Sequence, residues 1–154
     1  MTAQPAPMHR SALLLVVLLF AVAGCQWLSP APPATAGPNP NNELPFGTVE
    51  APPQNAGVQR EMVVGGWALD DQGVKEVRVF VDNKFVGRTA VDQSRPDVTK
   101  SYPQYPAGND LHGWVLKVSL GKTVPAGGHT VLAQAVDTQG ATRDIGTVNI
   151  SVPE

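Results

Sequence analysis

From Thr48 to the end of the chain, apolar residues recur at every second position in short runs. That period commits the segment to β-strands. Val77, Val79 and Val81 alternate with Glu76, Arg78 and Asp82; Trp114, Leu116, Val118 and Leu120 alternate with Val115, Lys117 and Ser119. Val131, Ala133 and Ala135 share a face, as do Val148, Ile150 and Val152. Turn residues separate the runs: Asp82-Asn83, Pro125-Ala126-Gly127-Gly128 and Thr138-Gln139-Gly140. No sustained 3.6-residue period occurs after residue 24. Seven strands are predicted: near Phe46 to Ala51, Arg60 to Leu69, Val74 to Val81, Lys84 to Ala90, Trp114 to Leu120, His129 to Val136, and a last one through Val152. The expected fold is all-β, a single sandwich domain over 48–154, since about 105 residues suffice for one core.

The first 47 residues have a different texture. Ala12 to Ala23 contain no polar side chain and follow Arg10, the one charge before Cys25. Twelve helical residues span roughly 18 Å, short of a ~30 Å bilayer core, so the run suits a signal-peptide core rather than a permanent span. From Gln26 to Gly47 there are six prolines and a single charge, Glu43. Such a composition cannot support a packed core and is expected to form a disordered tether with a reach on the order of 70 Å.

Val22-Ala23-Gly24-Cys25, immediately after the apolar run, resembles the lipobox of bacterial lipoproteins. The resemblance implies cleavage before Cys25 and a diacylglyceryl thioether on its sulfur, with an added acyl chain such as palmitate on the new amino terminus. The implied organisation is a signal peptide over 1–24, then lipidated Cys25 and a Pro-rich linker over 25–47. The implied location is the cell envelope, with the membrane as a partner through the lipid anchor. Gln26 after the cysteine favours the outer membrane, facing the periplasm or the surface. Two or more acyl chains give a stable anchor where one gives marginal binding. Cys25 is the only cysteine, so no internal disulfide forms.

Gly66-Trp67-Ala68-Leu69-Asp70-Asp71-Gln72-Gly73-Val74, continuing to Val81-Asp82-Asn83 and Val86-Gly87, is similar to bacterial immunoglobulin-like domains. Asn83 stands where glycine is usual there. Gly128-His129-Thr130 through Gln139-Gly140 resembles the penultimate strand and turn of the same family. Ser94-Arg95-Pro96-Asp97-Val98 and Tyr102-Pro103-Gln104-Tyr105-Pro106 resemble a connection seen in a subset of it. The resemblance implies an immunoglobulin-like sandwich and leaves function open, because such domains serve as adhesins, spacers and binding appendages.

Residues 1–24 hold one of the 11 basic and none of the 13 acidic residues, so the remainder has a formal charge of −3. No basic patch marks a nucleic-acid footprint. No Gly-x-Ser-x-Gly, phosphate loop or second cysteine occurs, and catalysis is not expected. Asp70 and Asp71 could contribute to a calcium site, but their spacing serves a turn equally well, and no metal or other cofactor is expected. His112 and His129 lack the spacing of a zinc site, and His129 is expected to bond a turn carbonyl. Trp67 and Trp114 are expected in the core between the sheets. The connection from Asp92 to Leu111 is longer than ordinary loops and carries Arg95, Tyr102 and Tyr105, the candidate binding residues. The expected function is a non-catalytic binding or structural module for an envelope protein or glycan. The alternative is an accessory or inhibitory subunit of an envelope hydrolase.

Overall fold

The computed structural model describes residues 39–105, 110–122 and 124–154. The expected signal peptide, Cys25 and most of the Pro-rich segment lie outside the described residues.

Among the described residues, nine strands and one short helix follow in the order β1 (Phe46–Ala51), β2 (Ala56–Gly57), β3 (Glu61–Leu69), β4 (Val74–Val81), β5 (Lys84–Thr89), β6 (Gln93–Ser94), α1 (Pro96–Ser101), β7 (Leu111–Ser119), β8 (Gly127–Asp137) and β9 (Thr142–Val152). They form two sheets, β1-β3-β7-β6 and β2-β9-β8-β4-β5. The first has the A-B-E-D order of an immunoglobulin domain, and the second contains its G-F-C order extended by β5. The seven predicted strands are the seven long ones. β2 and β6, each of two residues and too short to show alternation, add to these seven.

Alternation builds the core. Met62, Val64 and Ala68 of β3 and Trp114 and Val118 of β7 face Val77, Val79 and Val81 of β4 and Val131, Ala133 and Ala135 of β8; all are buried and share one cluster. Each fully buried valine stabilises by about 1.5 kcal/mol or more. Gly66 admits this packing: a Cβ there would collide with the Thr48 carbonyl oxygen and stand 3.2 Å from the Trp114 ring. The β4–β5 hairpin turns at Asp82 and Asn83 with φ of 48° and 62°. Positive φ at both central residues matches the right-handed twist of the strands, and Asn and Asp tolerate it.

The last residues of the Pro-rich segment are attached to the sandwich. Asn42 Nδ2 donates to Asp137 Oδ2 at 2.6 Å, Asn39 bonds Gln139, and Pro45 is fully buried.

Candidate functional site

On β3 the residues that point away from the core are Val63, Gly65, Trp67 and Leu69, by the same alternation that turns Val64 and Ala68 inward. Trp67 therefore corrects the sequence expectation. Trp114 is fully buried in the core, but Trp67 lies on the outer face of the four-stranded sheet, opposite Gly113. The parity carried the signal: Trp67 is out of step with Met62 and Val64.

The connection between β5 and β7 folds across this outer face. Arg95 is its anchor. Nη1 and Nη2 bond the two Glu50 carboxylate oxygens at 2.7 and 3.0 Å, while Nε and Nη2 bond Asp97 at 2.9 and 2.7 Å. These bonds raise the Arg95 pKa further and hold Asp97 down at about 2, chiefly through the Arg95 hydrogen bond. Gly113 makes the crossing possible, because a Cβ there would stand 2.9 Å from Arg95 Cγ. The local pair with Asp97 is adjacent in sequence; Glu50, on β1, is not.

After Arg95, Pro96 opens α1 with the fixed φ that suits a first helical turn, and Val98 is buried outside the main core. The Arg95 N–H donates to the Asp110 carbonyl oxygen at 2.7 Å, and Thr99 Oγ1 donates to the Asp110 carboxylate at 2.7 Å, closing the connection on itself. Tyr102 and Tyr105 then reach Phe46 and Trp67. Ring centroids are 5.3 Å apart for Trp67–Tyr102, 5.4 Å for Phe46–Tyr102, 4.9 Å for Phe46–Tyr105 and 5.9 Å for Phe46–Trp67. The three Phe46 pairs are edge-on, and such contacts add about 0.5–1.5 kcal/mol each beyond buried area. All four rings are half-buried, and Leu44, two residues before Phe46, is half-exposed. The result is an aromatic shelf with an open side.

Carboxylates crowd the same end of the sandwich. Asp70 and Asp71 follow β3, Glu43 precedes β1, and Asp137 ends β8. Asp137 is fully buried and satisfied by Asn42 Nδ2 and the N–H groups of Gln139 and Ala141. Asp70 is 6% exposed; Oδ1 accepts the Gln72 N–H at 2.9 Å, while Oδ2 has no hydrogen-bond partner among the described residues. Asp71 Oδ2 accepts from Gln72 Nε2 at 3.1 Å, while its Oδ1 is buried with no hydrogen-bond partner among the described residues. Burial raises the Asp70 pKa, and the Asp137 and Asp71 charges push it the same way. Burial also raises Tyr105, with Glu43, Asp71 and Asp70 adding to it. The phenol thus stands in the field of this acidic corner.

The histidines are not brought together. His112 is buried in β7 with its pKa lowered by burial. His129 lies between Asp82, 2.6 Å from Nδ1, and the Pro125 carbonyl oxygen, 2.9 Å from Nε2. Among the described residues, no group of three or more His, Cys, Asp or Glu side chains is placed to hold a metal ion.

No protein-family model matches the sequence, and no curated protein matches it significantly. Among solved structures the chain is similar to fibronectin(III)-like modules of Clostridium thermocellum CbhA, with a TM-score of 0.49 and 18% identity over 71% of this chain. It spans 47% of the length of that structure.

Proposed function

We propose that this protein is a lipid-anchored envelope protein whose immunoglobulin-like sandwich is a non-catalytic binding module. The observation that carries the reading is the aromatic shelf. A long connection is folded down by Arg95, Val98 and two tyrosines so that four rings lie half-buried with an open side. A rigid ring surface loses little entropy on binding, and aromatic side chains are enriched where proteins meet their partners. The anchor half of the proposal rests on Val22-Ala23-Gly24-Cys25 and the apolar run before it.

Each half has its own test. A photoreactive residue at Tyr105, irradiated in intact cells, is expected to give a discrete crosslinked species; a folded variant that captures nothing would remove the binding reading. Cys25→Ser is expected to abolish acyl labelling and leave the protein soluble or uncleaved. Normal cleavage with continued membrane association would overturn the anchor.

A further inference from the structure

We propose that the end of the sandwich opposite the aromatic shelf is a second docking site, for a protein segment that presents a bulky apolar side chain flanked by carboxylates. This site is separate from the shelf and goes beyond the binding role proposed for it.

Strand direction fixes the two ends. Trp67 lies opposite Gly113 at the shelf end of the β3–β7 pair, and Glu61 lies opposite Ser119 at the other. The β4–β5 turn belongs to the Glu61 end, as does the start of β8, because Val81 pairs with both Lys84 and Val131. Between that turn and the segment after β7 lies a half-open cavity of about 280 Å³. Val81, Val86, Leu120, Val124 and Pro125 line it, and Phe85 on its lining is 56% exposed. The volume is near the ~300 Å³ lower bound of ligand pockets and suits one large side chain rather than a cofactor. A lone exposed phenylalanine is ordinary. One that continues into an apolar hollow offers a partner a place to bury a side chain.

Two ties hold the walls before anything binds. His129 joins Asp82 on the hairpin wall, 2.6 Å from Nδ1, to the Pro125 carbonyl oxygen on the facing wall, 2.9 Å from Nε2. Arg60 Nη1 donates to the carbonyl oxygens of Gly121 and Val124 at 2.9 and 3.0 Å. A preformed cavity costs little ordering when it is filled.

Charge selects the occupant. Lys84 lines one side, Lys122 follows the lining residue Gly121 on the other, and Arg60 backs that second side. Among the described residues none of these three takes part in an ion pair. Asp82, the acid of the lining, is already taken up by the His129 ring and the Thr130 N–H. Glu61 is on the outer face of its sheet, by the alternation that buries Met62, and Glu154 follows β9, three strands from β5. Cations on both sides of an apolar hollow match an apolar residue with a carboxylate on either side. A lipid surface takes up protruding groups, whereas most of these walls are recessed. A neutral sugar would leave the cations uncompensated. The Pro-rich segment also leaves this end open: Asn42 joins Asp137, which ends β8, while the cavity lies before its first residue.

The test uses the full chain in a neutral sugar detergent and a labelled, end-blocked peptide, glycine-aspartate-phenylalanine-glutamate-glycine, read by fluorescence anisotropy. Saturable binding is expected. It should weaken by about ten-fold or more when alanine replaces the phenylalanine, as for loss of an anchor. It should weaken by about five-fold when asparagine and glutamine replace the acids, as for two exposed pairs. Lys84→Gln combined with Lys122→Gln should cost the acidic peptide a similar factor and leave the charge-free peptide unmoved. Both lysines are exposed, so the Tm should hold. Lys75→Gln, at the far end of β4, should change nothing. No saturable binding, equal binding of the acidic peptide and either control, or full binding by the double lysine variant overturns the proposal. So does complete competition by phosphatidylglycerol, and none by phosphatidylcholine, added to the micelles, which would assign the site to a membrane surface. Crosslinking from Tyr105 reports on the shelf at the other end, so either site can fail without the other.

Discussion

His129 sits where two acceptors converge, the Asp82 carboxylate on Nδ1 and the Pro125 carbonyl on Nε2. Two acceptors need two N–H donors, and only the protonated ring has both. The hydrogen bond that its ring donates to Asp82 raises the His129 pKa above its ordinary 6.5, burial opposing it. Asp82 in turn is lowered from 3.8, first by the Thr130 N–H and then by His129. The signs set a window. A raised histidine contributes stability that is complete below the unfolded pKa and is lost as pH rises through the folded one. A lowered carboxylate contributes above its unfolded pKa and loses it as pH falls through the folded one. The Tm should therefore decline as pH rises from about 6 through the raised His129 value. Asp82→Asn should flatten that decline. Because the Asp82 side chain is 47% exposed, solvent screens the pair and the effect should be about 1 kcal/mol. A melting series across pH that is equally steep in Asp82→Asn would assign the slope elsewhere.

The connection between β5 and β7 is the element on which the proposed function turns, and it is held by two different devices. Arg95 fastens its start through Glu50, across two intervening strands, and Tyr102 fastens its end against Phe46 and Trp67. Arg95→Ala is expected to cost about 1–2 kcal/mol, more than a free surface pair, because the guanidinium is bidentate and the stem covers Gly113. Glu50→Gln should reproduce most of that loss, and the double variant should add little to it. Tyr102→Ala should cost about 2–3 kcal/mol, since it removes the ring that contacts Phe46, Trp67 and Tyr105, and Tyr105→Ala less. If thermal melts show either tyrosine to be indifferent, the shelf is not packed as described. Much of this element's surroundings could be read from residues alone. β4, β7, β8 and β9 announce themselves by clean alternation, and the Asp82-Asn83 turn by its chemistry. The connection could be read only locally: Arg95 with Asp97, two residues away. Its long-range partners could not, because Glu50 and Phe46 lie about fifty residues upstream and no period links them to Arg95 and Tyr105. α1 has six residues, too few to display a helical repeat.

For the whole molecule the question is where the folded body begins. Composition places the change of texture at Thr48, where the prolines thin out and alternation starts. Packing places it earlier. Phe46 joins Trp67, Tyr102 and Tyr105; Pro45 is fully buried; and Asn42 satisfies the buried Asp137. A fragment starting at Asn39 retains all three, and one starting at Thr48 loses them. Removing Phe46 alone should cost about 3 kcal/mol or more, by comparison with core aromatic truncations. Stripping Asn42 from Asp137 leaves a buried carboxylate oxygen bare, at a further ~1–3 kcal/mol. For a domain of this size each kcal/mol shifts the Tm by about 4–8 °C, so the shorter fragment should melt some tens of degrees lower, or fail to fold at the growth temperature. Single substitutions locate the cause. Asn42→Ala in the longer fragment should reproduce the smaller part of the loss and Phe46→Ala the larger. Equal melting temperatures for the two fragments would return the boundary to Thr48 and make residues 39–47 part of the tether.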